Sequence, residues 1–183
     1  MLVGRQQRRC YHRLMKKTSA VVYTLALALM LAACSPAFDW REYRSPDAPF
    51  TALFPGKPAV LTRQIDLDGQ KTALTMTASE AEGNTFAIGT AVMANPGLAQ
   101  AALPAMQAAL LRNINGQITK EKSGSSDSGL RVEATGSRNG QAVQLIGRFV
   151  ARDTRIFQIV IVGDASKLSR DNIDTFMDGV KIE

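Results

Sequence analysis

The sequence predicts an α+β domain in which antiparallel strands meander and two helices pack on them. Three observations carry that prediction. The dipeptides Asp68-Gly69 and Asn139-Gly140, which suit two-residue hairpin turns, each sit between β-prone runs. Within those runs apolar residues recur at every second position, as in Leu74, Met76 and Ala78 or Phe86 and Ile88. Two other segments change to a spacing of three and four: Leu103, Met106, Leu110 and Ile114, then Ile173, Phe176 and Met177.

In chain order the first feature lies outside that domain. The apolar run Ala20 to Ala33 is 14 residues long, shorter than the ~20 that cross a bilayer as a helix. It follows Lys16 and Lys17, the layout of a secretory signal. Its end, Leu31-Ala32-Ala33-Cys34, resembles the lipobox of bacterial lipoproteins, where slim side chains let a peptidase reach the bond before the cysteine. An ordinary signal cut beside an incidental cysteine is the alternative. The lipobox implies that residues 1–33 are a leader, that Cys34 carries covalent lipid as the only bound group, and that membrane lipid is a partner. Met15-Lys16-Lys17 offers an alternative start. Ser35 at the second mature position, where an aspartate would signal inner-membrane retention, favours the outer membrane and its periplasmic face.

Removing the leader changes the chemistry. Of 22 basic residues, Arg5, Arg8, Arg9, Arg13, Lys16 and Lys17 precede Cys34, and none of the 16 acidic ones does, so the mature chain is balanced at 16 of each. No surplus cationic charge remains to displace counterions, so nucleic acid is not an expected partner. His12, the single histidine, and Cys10 leave with the leader, while Cys34 is taken by lipid. That excludes imidazole bases, Ser-His-Asp and Cys-His nucleophiles, His or Cys metal sites and internal disulfides. No catalytic residue and no metal ligand is expected.

Residues 34–49, with three prolines and no apolar period, read as a lipidated tether. Its Phe38, Trp40 and Tyr43 either dip into the lipid interface or, the favoured reading, strap the tether onto the domain. The single domain, 50–183, opens with a strand over Phe50 to Phe54, stopped by Pro55-Gly56-Lys57-Pro58. Strands follow over Ala59 to Leu67 and Gln70 to Glu80, the latter with one dry and one wet face, and over Thr85 to Met93. A helix runs to Asn115-Gly116, and Pro104 either starts it or kinks it. A short strand over Gln117 to Lys122, a polar loop over 123–129, and a second meander over Leu130 to Ser137, Gln141 to Arg152 and Arg155 to Val162 come next. Ser166 to Asp178 is a second helix, and Val180 to Ile182 a last strand.

Ser45-Pro46-Asp47-Ala48-Pro49-Phe50, Phe54-Pro55-Gly56-Lys57-Pro58, the meanders around a middle helix, and the ending Phe157 to Gly163, helix, Phe176-Met177-Asp178-Gly179-Val180-Lys181-Ile182 together resemble the PsbP-like superfamily. The resemblance implies an antiparallel sheet sandwiched by helices, an α/β/α sandwich, and a role in docking or assembly without catalysis. The histidines that serve metal contacts in that superfamily's photosystem members have no counterpart here.

Asp66-Leu67-Asp68-Gly69 starts like a calcium loop but lacks the later ligands, so a hairpin explains it. Glu80 and Glu82 flank a turn, and Asp171, Asp174 and Asp178 read as the wet side of a helix. Arg148, Arg152 and Arg155 form the candidate anion-binding group: the first two share a strand face, and a turn at Asp153-Thr154 sets Arg155 opposite Arg152. The alternative is a strand edge kept soluble by charge. The sequence thus predicts an envelope lipoprotein, non-enzymatic, that docks to an envelope protein partner, or else a carrier or sensor of a small or amphiphilic ligand; a hydrolase using only Asp, Glu, Ser or Lys is the third alternative.

Overall fold

A computed structural model describes residues 37–67, 69–124 and 129–183. Cys34, its lipobox and Asp68 lie outside the described residues. Among the described residues the order is β1 (Arg41–Arg44), β2 (Phe50–Phe54), β3 (Ala59–Leu67), β4 (Gln70–Ala81), β5 (Asn84–Val92), α1 (Pro96–Asn113), β6 (Gln117–Ser123), β7 (Leu130–Arg138), β8 (Gln141–Arg152), β9 (Arg155–Gly163), α2 (Arg170–Gly179) and β10 (Lys181–Ile182). Seven strands form one antiparallel sheet in the order β3-β4-β5-β9-β8-β7-β6, and β1-β2-β10 form a small second sheet.

The helix-sandwiched α+β arrangement is not what forms. Strands take 55% of the described residues and helices 20%, so the fold is predominantly β. Two features shift the balance. Arg41–Arg44, within the stretch expected to be tether, pairs with β2. The ten residues of α2 share their face of the large sheet with the small sheet, so that face is covered by strands as well as by a helix.

Each face has its own core. Leu74, Leu145, Phe149 and Ile156 lie under α1 and its Met106; on the other face Phe86, Ile88, Phe157, Ile159 and Ile161 meet Phe50 and Phe54 of β2 and Phe176 of α2. Because the middle of the sheet is covered twice, alternation disappears there: β9 is buried along almost its whole length. The wet face expected of β4 fails for the same reason, since Thr77 is 2% and Ser79 7% exposed. Ser79 lies opposite Phe86, and the rings of Phe38 and Trp40, stacked at 5.8 Å, both meet Phe86 edge-on at 6.0 Å. These aromatics therefore strap the N-terminal segment to the core.

Both helices are capped by side chains. Asn95 Oδ1 accepts from the Leu98 amide at 2.9 Å and Pro96 occupies the first turn, where its missing N–H costs nothing. The helix then continues through Pro104, which is exposed. Ser169 Oγ accepts from Asn172 N at 3.2 Å and starts α2.

Candidate functional site

The hairpins decide which side chains meet. Asn139 and Gly140 have φ of 53° and 78°, the left-handed pair that a two-residue turn requires. Equal steps outward from that turn set Arg131 of β7 directly opposite Arg148 of β8. Across the next pair, Lys122 of β6 stands opposite Arg131, because a bulge between Ile118 and Lys120 corrects the register. Lys122, Arg131 and Arg148 thus form one row across three strands, with neighbouring residues about 5 Å apart.

The row lies on the floor of a groove of about 430 Å³ between the outer strands of the large sheet and α2. Ile146, Ile173 and Met177 supply its apolar part. The small sheet and the strap cover the middle of this face but leave its β7 side open: Arg131 is exposed here, whereas Val132, on the opposite face of the same strand, is buried. Phe176 anchors α2 on the covered side, 5.4 Å from the Phe86 ring and 5.5 Å from Phe54, while Asp174 and Asp178 border the groove.

Its charges are unevenly matched. Lys120 Nζ pairs with Glu133 at 3.1 Å and Arg170 with Asp174 at 3.3 Å. Glu121 points to the opposite face, where its carboxylate accepts from Gln107 of α1 at 3.1 Å. Among the described residues this leaves Lys122, Arg131 and Arg148 against Asp178. Arg148 is half-buried and its Nε has no hydrogen-bond partner. Burial pushes this guanidinium below its ordinary pKa, the Arg131 charge pushes the same way, and Asp178 opposes them. Like charges directly opposite on paired strands are unfavourable; an anion between them makes the arrangement favourable.

The three predicted arginines do share one sheet face, but they do not converge. Arg152 and Arg155 stand opposite each other across the Asp153-Thr154 turn, whereas Arg148 is four residues away, ~13 Å along the strand. Arg155 lines a separate hollow with Thr75 and Thr90. Arg131 and Lys122 were not singled out from the sequence, and the signal that could have found them is the Asn139-Gly140 turn, which fixes the register. Asp174 and Asp178, expected only to be solvated, border the groove. At the calcium-like segment Gly69 N donates to Asp66 Oδ1 at 2.7 Å. Glu82 holds a turn conformation at φ 51° beside Gly83, and Glu80 is exposed. No group of three or more metal-ligating side chains occurs among the described residues, and no helix among them is long and apolar enough to cross a membrane.

No family model and no curated protein matches the chain. Among solved structures, a protein from Bacteroides thetaiotaomicron is similar at 14% identity and a TM-score of 0.40, over 78% of this chain and 48% of its own length. The chain spans about half of that structure.

Proposed function

We propose that this chain is a lipid-anchored, non-enzymatic binding module of the bacterial cell envelope, facing the periplasm, whose groove beside α2 receives a ligand as a carrier or sensor would. The observation that supports this reading is the groove itself. Its volume of about 430 Å³ falls in the range of small-molecule sites, and a row of under-compensated cations meets apolar side chains in it. Anchoring rests on Cys34. Native mass spectrometry of the chain taken directly from membranes tests the binding role. One small molecule besides the covalent lipid is expected, and Ile146→Trp, which fills the groove, removes it; a chain empty in both forms overturns the reading. Anchoring is tested separately: Cys34→Ala loses palmitate label and membrane association, and persisting label contradicts the lipobox.

A second reading, docking to an envelope protein, draws on the β3 edge of the large sheet, where Val60 and Leu61 are 49% and 68% exposed. A nine-residue edge strand with unpaired backbone groups and exposed apolar side chains at one end can accept an added strand. A photo-crosslinker at Leu61 should capture one reproducible envelope partner; capture of only bulk porins and lipid counts against docking.

A further inference from the structure

Resting on that groove reading, we infer that the ligand is an anionic amphiphile, its phosphate-like or carboxylate head held by Arg131 and Arg148 and its apolar portion lying on Ile146, Ile173 and Met177. Two independent features of the site require the two parts. The head is required by the cation row. Arg131 and Arg148 face each other across adjacent strands with Lys122 next in line. Arg148 keeps an Nε without a partner in a half-buried position. A guanidinium offers a planar fork of donors that fits two oxygens of one head group, and partial burial strengthens that contact. The apolar part is required by α2. Ile173 and Met177 sit one helical turn apart, 9% and 8% exposed. They border the groove together with half-buried Ile146, so apolar surface flanks the charged row. A free inorganic anion would leave that surface unused, and a neutral amphiphile would leave the arginines facing each other uncompensated.

The neighbouring acids set the orientation. Glu133 and Asp174 are occupied by Lys120 and Arg170, while Asp178, on α2, borders the groove and acts on Arg148 through space. The head therefore sits toward β6 and β7, away from Asp178, and the apolar portion lies under the helix.

Calorimetric titration of the full chain held in lipid nanodiscs, with empty nanodiscs subtracted, decides the matter. The probes are hexyl phosphate, hexyl glucoside and inorganic phosphate, all short enough to stay in water. Hexyl phosphate is expected to bind at one site and at least about 10-fold more tightly than either other probe. Higher salt weakens it, and Arg131→Gln with Arg148→Gln reduces its affinity at least about 10-fold, an unchanged circular dichroism melt showing that the variant is folded. Lys122→Gln, an exposed change that leaves the core untouched, gives a smaller loss of the same sign. Inorganic phosphate binding as tightly as hexyl phosphate overturns the amphiphile while leaving an anion site in the groove. Hexyl glucoside binding as tightly, indifferent to the arginine changes, overturns the anionic head while leaving the groove a binding site. No binding of any probe overturns this inference and the groove reading together.

Discussion

The two faces of the seven-stranded sheet are built from the same strands, yet on the α1 face Val132, Ala134, Leu145 and Phe149 of β7 and β8 are buried, whereas on the α2 face Arg131 is exposed and Ile146 and Arg148 only half-buried. The reason is length and anchoring. α1 spans 18 residues and packs Ala99, Ala102, Leu103 and Met106 on its face. α2 has ten residues and buries only Ile173, Phe176 and Met177, with Phe176 drawn toward the aromatic cluster of the small sheet. The outer strands next to α2 are then only partly covered, and they carry Lys122, Arg131 and Arg148 beside the apolar Ile173 and Met177 of the helix. A sheet covered unevenly gains a groove without spending its core.

The largest effect that probes this difference comes from two residues of β8 on opposite faces. Phe149→Ala removes a ring with 0% exposure under α1 and should cost about 3–5 kcal/mol in urea unfolding, whereas Ile146→Ala, half-buried on the groove face, should cost only about 1 kcal/mol. Equal losses would mean that the two faces are equally closed. Arg148→Met comes next. It replaces a half-buried guanidinium whose Nε has no hydrogen-bond partner by an apolar chain of similar reach, so stability is expected to hold or rise by up to about 1 kcal/mol. A loss above about 2 kcal/mol would show that Arg148 is a structural group and not a waiting ligand contact. Smallest is Leu61→Lys on the β3 edge, within about 0.5 kcal/mol of the starting stability but with less aggregation on heating. Faster aggregation would remove the ground for an adhesive edge there.

Local signals made the strands readable. Ala59–Leu67 and Gln141–Arg152 end where Pro58, the Asp68-Gly69 turn and the Asp153-Thr154 turn say they must. Layering was less readable, because it depends on what covers each face: Arg41–Arg44 has no apolar period of its own and becomes a strand only by pairing with β2, and Thr77 and Ser79 are polar residues buried by elements distant in sequence. The site was half legible. Arg148 stood out, but it was grouped with Arg152 along its strand, where four residues mean ~13 Å, and not with Arg131 across the hairpin, where direct opposition means about 5 Å. Charge grouping in sheets follows register before it follows sequence distance, and the register here was already fixed by Asn139-Gly140.

The most direct test of the open face as a ligand site is hydrogen–deuterium exchange, read by mass spectrometry on the nanodisc-held full chain with and without hexyl phosphate. Slowed exchange confined to β7, the Ile146 to Arg148 part of β8, and α2, with α1 unchanged, is the result expected. Slowing centred on α1, or none on β7 and α2 while the probe demonstrably binds, would contradict it.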